Sequence, residues 1–226
     1  MSNSVAVFAQ LPYSGPPIPG VHPGAQYPGV PGAPVVGYYQ PVKINSPSGT
    51  QIAFAVDNTF VERKDAPYTA GLLLGANYRF RVTNIRFNPG KEVFPTVTVL
   101  QRTFPPKGKE TEYPIQIDIT HEDLELALNG QFVTRVIYLE EPQSALPIRA
   151  DFGQQPTIDV KSGEDPLRVA HSLGKPVAVV QIGGRIPNSN KIEPAFFHGS
   201  PAWIFFDKDH TGKLQPFTYN INRGNF

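Results

Sequence analysis

Most of the chain after residue 50 alternates hydrophobic and polar residues with a period of two. This pattern is typical of β-strands that bury one face and expose the other. It is clearest in residues 78–83, 96–99 and 115–120, whereas residues 133–139 are hydrophobic on both faces and predict a central strand. Shorter patterns predict further strands at residues 52–56, 177–182, 202–206 and 217–221.

Two short helices are predicted between the strands. Thr120 and Asp123 form a capping box, and Gly130 ends the first helix. The second helix begins at an Asp-Pro pair, residues 165–166, and ends at Gly174. Hydrophobic residues at helical spacing would face a sheet in both helices: Leu124, Ala127 and Leu128 in the first, and Leu167, Ala170 and Leu173 in the second.

Many strands, short turns and two short helices favour a mainly β fold, specifically an immunoglobulin-like β-sandwich. Residues 115–139 would form a strand, a short crossing helix and a second strand, similar to the helical connection between strands E and F of immunoglobulin-like domains. The sequence therefore predicts a β-sandwich domain over residues 51–226. Residues 155–226 either complete the same sandwich or form a smaller second lobe.

The first 50 residues differ in character, because they contain a single charged side chain, Lys43. Ten prolines lie between Pro12 and Pro47, with glycines interspersed among them. Proline has no amide N–H to donate, so this composition argues against a helix or a regular sheet ladder. We therefore predict an extended Pro/Gly-rich N-terminal tail over residues 1–50.

This predicted tail is rich in tyrosine and valine, whereas disordered segments are usually charged and poor in aromatic residues. Tyrosine offers a large contact area with a polar tip, which suits protein interfaces. We expect the tail to contact its own domain or a neighbouring copy, with a flexible spacer as the alternative. The predicted contact residues are Tyr13, Tyr27, Val30, Val35, Tyr38 and Tyr39.

Residues 1–10, MSNSVAVFAQ, lack the features of a complete secretion signal. Such a signal has a basic start and a hydrophobic core of about 7–15 residues. Here the hydrophobic stretch covers residues 5–9 and no Lys or Arg precedes it. The pattern predicts a short strand or a disordered end. The alternative is a signal truncated by a late start, because residues 7–9 resemble the end of a cleavage site.

Composition and charge exclude several classes of protein. None of the 226 residues is Cys, which excludes disulfides, zinc–thiolate sites, iron–sulfur clusters and cysteine nucleophiles. No hydrophobic run approaches the roughly 18 residues of a transmembrane helix, so no transmembrane segment is predicted. The formal net charge of +1 argues against a general nucleic-acid binder, which needs a basic surplus.

The segment from Tyr113 to Pro142, YPIQIDITHEDLELALNGQFVTRVIYLEEP, carries a family resemblance together with PTVTV at residues 95–99 and GEDPL at residues 163–167. Over roughly residues 70–185 the chain resembles an uncharacterised family of predicted exported proteins from planctomycete-type bacteria. The resemblance implies an extracellular or cell-envelope location and no established catalytic residues. The first ten residues depart from it, because they contain no recognisable signal.

The common catalytic motifs are absent from the sequence, including the GxSxG nucleophile elbow, the P-loop and GxGxxG. Residues 121–125 begin like a zinc-binding HExxH motif but end in Glu, and we interpret them as a solvated helix face. Residues 183–185, Gly-Gly-Arg, predict a turn after a strand. Arg79 and Arg81 alternate with hydrophobic residues and predict an exposed sheet face.

The best candidate for ligand binding is DKDHTGKL at residues 207–214. It matches a calcium-binding EF-hand loop at five positions, but Thr218 stands where the loop has a bidentate Glu. We favour a polar hairpin turn and predict no cofactor. The alternative is calcium held by Asp207, Asp209 and Thr211.

The sequence favours a non-enzymatic structural subunit of an extracellular or cell-surface assembly, either a filament or a layer. The tail would contact other copies of the chain, for example by adding a strand to a neighbour. The alternative is an exported binding module or an accessory subunit whose tail docks onto another envelope protein. A third hypothesis is a hydrolase with carboxylates or a metal near His121 or Asp207.

Overall fold

The computed structural model of the chain describes residues 4–10, 38–140, 157–161, 163–188, 193–208 and 214–217. Only the backbone is described for residues 4–10, 207–208 and 214–217. Within these ranges the fold is mainly β, with two sheets and two short helices.

The strands and helices follow one another in this order along the chain. The strands are β1 (Ser4–Gln10), β2 (Tyr39–Asn45), β3 (Gln51–Val56), β4 (Thr59–Phe60), β5 (Lys64–Asp65), β6 (Tyr68–Leu73), β7 (Asn77–Thr83), β8 (Thr96–Val99), β9 (Ile115–Asp118), β10 (Val133–Glu140), β11 (Thr157–Asp159), β12 (Gly174–Ile182), β13 (Trp203–Lys208) and β14 (Leu214–Phe217). Helix α1 (His121–Leu128) lies between β9 and β10, and α2 (Pro166–Leu173) lies between β11 and β12.

The larger sheet has nine strands in the order β11-β1-β10-β12-β8-β7-β3-β4, with β5 also paired to β3. The smaller sheet has five strands in the order β14-β13-β6-β2-β9. Two strand pairs, β1–β10 and β2–β9, are parallel, and the other pairs are antiparallel. The chain crosses from the smaller sheet to the larger one through α1.

The two sheets share one hydrophobic core. Ile44 and Leu72 of the smaller sheet belong to the same buried cluster as Phe54 and Phe80 of the larger sheet. The Tyr78 hydroxyl joins the sheets through polar contacts, because it accepts from the Leu73 N–H at 3.0 Å and donates to the Ala202 carbonyl at 2.8 Å. This arrangement is consistent with a β-sandwich.

The strands predicted from alternation are confirmed in β7, β8 and β9, and the strand predicted from the shorter pattern at residues 52–56 is confirmed in β3. In β7, for example, Tyr78, Phe80 and Val82 are buried while Arg79 and Arg81 are only partly buried. The prediction of a central strand at residues 133–139 is also confirmed, because β10 lies between β1 and β12 and is buried on both faces.

Both predicted helices and their caps are confirmed. The Thr120 hydroxyl accepts from the Asp123 N–H at 3.1 Å, and the Asp123 carboxylate accepts from the Thr120 N–H at 2.9 Å. The Asp165 side chain caps α2 by accepting from the Leu167 N–H at 3.0 Å. Gly130 follows α1 with a φ of 79°, which favours glycine.

Strand β2 corrects one expectation about the N-terminal region. We excluded a sheet ladder between Pro12 and Pro47, but Tyr39–Asn45 pairs with both β6 and β9. The ladder with β9 begins at Val42, so Pro41 lies where β6 is the neighbouring strand. A proline is tolerated there because one side of the strand is not paired by β9, so the missing N–H of Pro41 need not break the ladder.

The end of the chain also differs in detail from the expectation. Within the described part of the chain, the last strand is β14, which begins at Leu214, earlier than the predicted strand at 217–221, and residues 218–221 lie outside the described ranges. Strands β11 and β12 belong to the larger sheet and β13 and β14 to the smaller one, so these segments complete the same two sheets. The division into a tail over residues 1–50 and a domain over residues 51–226 stays a prediction, because residues 11–37 lie outside the described ranges.

Candidate functional site

The N-terminal strand β1 lies inside the larger sheet, between β10 and β11. Its parallel register with β10 joins seven residue pairs, from Ser4 opposite Val133 to Gln10 opposite Leu139. On its other side it runs antiparallel to β11, with Ala6 opposite Asp159. We use the term acceptor site for the backbone edges of β10 and β11 that pair with β1.

Strand β10 forms the longer side of the acceptor site and is covered on both faces. Val133 and Ile137 belong to the shared core of the two sheets. Val136 and Tyr138 belong to a second cluster, which includes Ala170 of α2. Helix α2 also contacts β1 and β12. A strand that is buried on both faces carries mostly hydrophobic side chains, and β10 follows this rule.

A buried ion pair fixes α1 against β10. Asp123 is fully buried and Arg135 is 8% exposed. The Arg135 guanidinium donates to Asp123 Oδ1 through Nε at 3.1 Å and also through Nη2. The same carboxylate accepts from the N-cap residue Thr120 through Oδ2. One aspartate therefore caps α1 and holds this helix against β10.

A second polar connection lies where the N-terminal region enters β2. Gln40 is fully buried, and its Oε1 accepts from the Thr103 N–H at 2.8 Å. Its Nε2 donates to Thr103 Oγ1 and to the Pro41 carbonyl, both at 3.0 Å. The Gln40 side chain therefore binds the segment before β9 to the start of β2, at the positions that β9 does not pair.

Tyr38, Arg102 and Phe104 form an aromatic–cation cluster beside this connection. The Arg102 guanidinium carbon lies 4.5 Å from the Tyr38 ring centroid and 4.6 Å from the Phe104 ring centroid. The Tyr38 hydroxyl and Arg102 Nε are buried and have no hydrogen-bond partner. Burial raises the pKa of Tyr38, although Arg102 opposes the shift. Buried polar atoms without partners are uncommon, so this cluster has unused hydrogen-bonding capacity: the Arg102 Nε can donate, and the Tyr38 hydroxyl can donate or accept.

The structure describes two of the six predicted tail contacts. Tyr38 belongs to the cluster above, and Tyr39 begins β2 in register with Leu73 and is partly buried. The other four predicted contact residues, Tyr13, Tyr27, Val30 and Val35, lie outside the described ranges. An interface role for these residues stays a prediction.

The predicted calcium loop is partly described. Asp207 lies in β13, opposite Gln215 of β14, whereas Asp209 and Thr211 lie outside the described residues. The antiparallel pairing of β13 with β14 agrees with a hairpin, whose turn at residues 209–213 lies outside the described ranges. Within the described ranges, no group of three or more His, Asp or Glu residues could hold a metal ion. Calcium binding stays an untested alternative.

The helix face at residues 121–125 contains one polar contact. His121 Nε2 lies 3.1 Å from Glu125 Oε1, and both side chains are partly exposed. The ring of Phe87 packs edge-on against His121, with the centroids 5.9 Å apart. This arrangement agrees with a helix surface, and among the residues that the structure describes no third metal-ligating side chain joins the pair.

Arg79 was predicted on an exposed sheet face, and that prediction is wrong. Its Nη1 donates to the Phe94 carbonyl at 2.7 Å, and its Nε donates to the Phe196 carbonyl at 3.0 Å. Its guanidinium carbon lies 4.6 Å from the Phe196 ring centroid. Burial, with Arg185 nearby, lowers the pKa of Arg79 to about 10. The segment 193–200, far away in sequence, therefore covers this part of β7.

His198 completes the contact between Arg79 and segment 193–200. Arg79 Nη2 lies 3.1 Å from His198 Nε2, and Thr96 Oγ1 lies 3.4 Å from the same nitrogen. An arginine can only donate, so Nε2 accepts and the neutral ring carries its hydrogen on Nδ1. Burial lowers the pKa of His198, and the charges of Arg79 and Arg185 lower it further. This cluster holds segment 193–200 in place. The aromatic pair Phe196–Phe197 was the feature of the sequence that could have indicated that this segment packs against the sheet.

Comparisons of the chain with protein-family models, with curated proteins and with solved structures found no match. The resemblance to an exported planctomycete-type family therefore stays a prediction. Neither helix in the described ranges is long and hydrophobic enough to cross a bilayer.

Proposed function

We propose that the chain is a non-enzymatic structural subunit of an extracellular or cell-surface assembly, in which the N-terminal residues make contacts between copies. One observation carries this proposal. Strand β1 completes the larger sheet although residues 11–38, with their high proline content, separate it from β2. A strand attached through such a segment is suited to joining one folded unit to another.

Two clusters of charged and polar residues in the described part of the chain support the same proposal, because their contacts are structural. Asp123 and Arg135 attach α1 to β10. Arg79 and His198 hold segment 193–200 against β7 and β8. In both clusters the hydrogen bonds described above join side chains of the protein to its own backbone and side chains, which is a structural use of these charged groups.

We also propose the finer features that the sequence predicts. The crossing from β9 through α1 to β10 supports an immunoglobulin-like arrangement of the two sheets. The composition of residues 1–37 supports an extended tail before β2. The family resemblance supports an extracellular or cell-envelope location.

The second candidate function is an exported binding module or accessory subunit of a larger envelope complex. The Tyr38–Arg102–Phe104 cluster favours it, because two buried polar atoms there have no hydrogen-bond partner. Both atoms are buried in the single chain, so a different protein would reach them only by displacing the residues that cover them. If the second candidate is right, the chain would purify with a second polypeptide in a fixed ratio.

Light scattering and negative-stain imaging of the full chain over a range of concentrations test the first proposal. We expect particles that grow with concentration into regular polymers. The control is residues 38–226, which keep β2 and lack the N-terminal region; this fragment should not form them. A full chain that stays monomeric throughout would overturn the proposal, and co-purification of a stoichiometric partner would favour the second candidate.

A further inference from the structure

We propose that in the assembly β1 of one copy occupies the acceptor site of the next copy. This inference rests on the proposed function, because it assumes that copies of the chain associate. It names the contact: a donor strand, residues 4–10, inserted between β10 and β11 of a neighbour. The pairing would keep the register seen within one chain, with Ser4 opposite Val133 and Ala6 opposite Asp159.

The acceptor site has the properties of a binding site for an incoming strand. Seven backbone positions of β10 pair with β1, while both faces of β10 are buried by the core and by α2. Without β1, the backbone edge of this hydrophobic strand would be open, and such edges readily pair with another chain. Strand β11 pairs only with β1 among the described strands, so it depends on the donor for its place in the sheet.

The connection to β1 is long enough to reach a neighbouring copy. Residues 11–38 comprise 28 residues between Gln10 and Tyr39. At about 3.1 Å per residue, a polyproline-like chain of this length spans at most about 87 Å. A folded chain of 226 residues has a diameter of about 45 Å. A donor strand can therefore pass beyond its own domain and reach the acceptor site of a copy in contact with it.

The occupant is a second copy because each chain provides one donor strand and one acceptor site. The pairs formed between copies are the same as those formed within a chain, so the choice depends on the local concentration of donor strands. When each donor enters the next copy, every acceptor site is filled except one at the end. The contact is head-to-tail, so it produces an open polymer unless the rotation between copies closes a ring.

Engineered cysteines can distinguish exchange from pairing within one chain, because the natural chain has no Cys. Ala6→Cys and Asp159→Cys are made as separate variants, at positions opposite each other in antiparallel strands. The two proteins are mixed equally, dissociated, reassembled and oxidised. A disulfide forms only at a junction where the donor strand carries the cysteine at position 6 and the acceptor carries the one at position 159. Each condition holds for half of the copies, so we expect covalent heterodimers at about one junction in four. The control replaces Asp159→Cys with Gln181→Cys, an exposed position on β12 that does not pair with β1.

Heterodimer at the control level in mixtures that assemble normally would overturn the strand exchange and leave the structural function standing. A chain that does not assemble at all would overturn both. A second measurement avoids the variants: a synthetic peptide of residues 4–10 is added in excess during assembly of the natural chain. We expect it to occupy acceptor sites and shorten the polymers severalfold, while a scrambled peptide does not. Unchanged polymer length with the native peptide would also overturn the exchange.

Discussion

At the scale of single residues, the fold supplies the buried guanidinium of Arg135 and the partly buried guanidinium of Arg79 with different partners. Arg135 has the carboxylate of Asp123, which is fully buried beside it. Arg79 has two backbone carbonyls and the imidazole of His198. In the first arrangement a carboxylate neutralises the guanidinium charge, whereas in the second the charge is stabilised by the dipoles of carbonyl groups and an imidazole. The two sites should therefore respond to different perturbations, one to loss of a carboxylate and the other to pH.

Replacing Asp123 with Ala should destabilise the protein strongly. The substitution would leave the buried Arg135 guanidinium without its carboxylate and would remove the reciprocal cap on Thr120. Breaking a buried ion pair from one side typically costs about 3–5 kcal/mol. Urea denaturation measures the change in the free energy of unfolding. Glu122→Gln, an exposed acid in the same helical turn, is the control and should change stability by less than about 0.5 kcal/mol.

Stability should rise with pH in the range where His198 titrates. Its pKa is lowered in the folded protein, so just below about pH 6.5 the unfolded chain binds more protons than the folded one. The stabilisation is complete above that pH and is lost as the pH falls towards the folded-state pKa. Urea denaturation between pH 5 and 8 would detect the slope.

His198→Asn should flatten this part of the pH profile. Asparagine tolerates the left-handed backbone at this position, where φ is 52°. The substitution therefore removes the titrating ring without adding backbone strain. A variant whose stability profile runs parallel to that of the natural protein would show that another group causes the slope.

At the scale of whole elements, the junction between α2 and β12 depends on a close approach to β10. Gly174 ends α2 and begins β12 with no connecting residue. A Cβ atom at this position would collide with the carbonyl oxygen of Leu139 in β10. Because the obstacle is backbone, it cannot move aside without disturbing β10, the strand that pairs with β1.

Gly174→Ala should therefore destabilise the protein by at least about 1–3 kcal/mol, the usual cost of overpacking. Gly183→Ala is the matched control at the other end of β12. The Cβ atom added there would approach the Phe132 ring at 3.1 Å, and that ring is 44% exposed and can shift. Thermal unfolding of both variants tests the difference. Equal melting temperatures would contradict the close approach at Gly174.

Truncation should distinguish β2 from the residues before it. A fragment of residues 38–226 keeps β2, whereas residues 48–226 lack it and lose the strand that joins β6 to β9. We expect the longer fragment to unfold cooperatively and the shorter one to show no cooperative transition. Circular dichroism during heating measures both. Cooperative unfolding of residues 48–226 would mean that the smaller sheet does not need β2.

The elements that the sequence predicted well are those specified locally. Strand β7 alternates strictly, and the capping residues Thr120 and Asp165 lie within a few residues of the backbone groups they bind. Strand β6 was missed because its burial does not alternate: Ala70, Gly71 and Leu72 are consecutive buried residues. A strand that is covered on both faces therefore shows no alternation of hydrophobic and polar residues from which it could be predicted.

The features that escaped prediction depend on contacts between distant parts of the chain. Strand β2 was rejected on its proline, yet its partner β9 begins pairing only after that residue. Arg79 followed the rule for an exposed face, yet the carbonyl of Phe196, 117 positions away, accepts a hydrogen bond from it. The acceptor site likewise joins β1 to strands more than 120 residues later. The sequence gives the types of residue that form such contacts, but it does not show which of them come together in the fold.

At the scale of the whole molecule, opposite charges are nearly balanced, with 20 basic and 19 acidic side chains. Long-range repulsion between copies is therefore small, and association through strand pairing should depend on backbone hydrogen bonds and burial. A polymer built in this way differs from one held by patches of opposite charge, which dissolves in salt.

The extent of assembly should therefore change little between about 0.05 M and about 0.5 M NaCl, because charges are already screened beyond about 10 Å at 0.1 M. Light scattering at a fixed protein concentration measures the effect. Loss of most of the scattering at high salt would indicate that ion pairs, and not strand pairing, hold the copies together.

The register of β1 with β10 also has a consequence for synthesis. The ribosome makes residues 4–10 before their partners at 133–139 and 157–159. At about 5–20 residues per second, the nascent strand waits on the order of 10–30 s until β11 emerges. During that interval β1 has no partner strands in its own chain, whereas a completed neighbouring copy already contains β10 and β11. The order of translation therefore gives each new copy a period in which capture by an older copy competes with folding on its own.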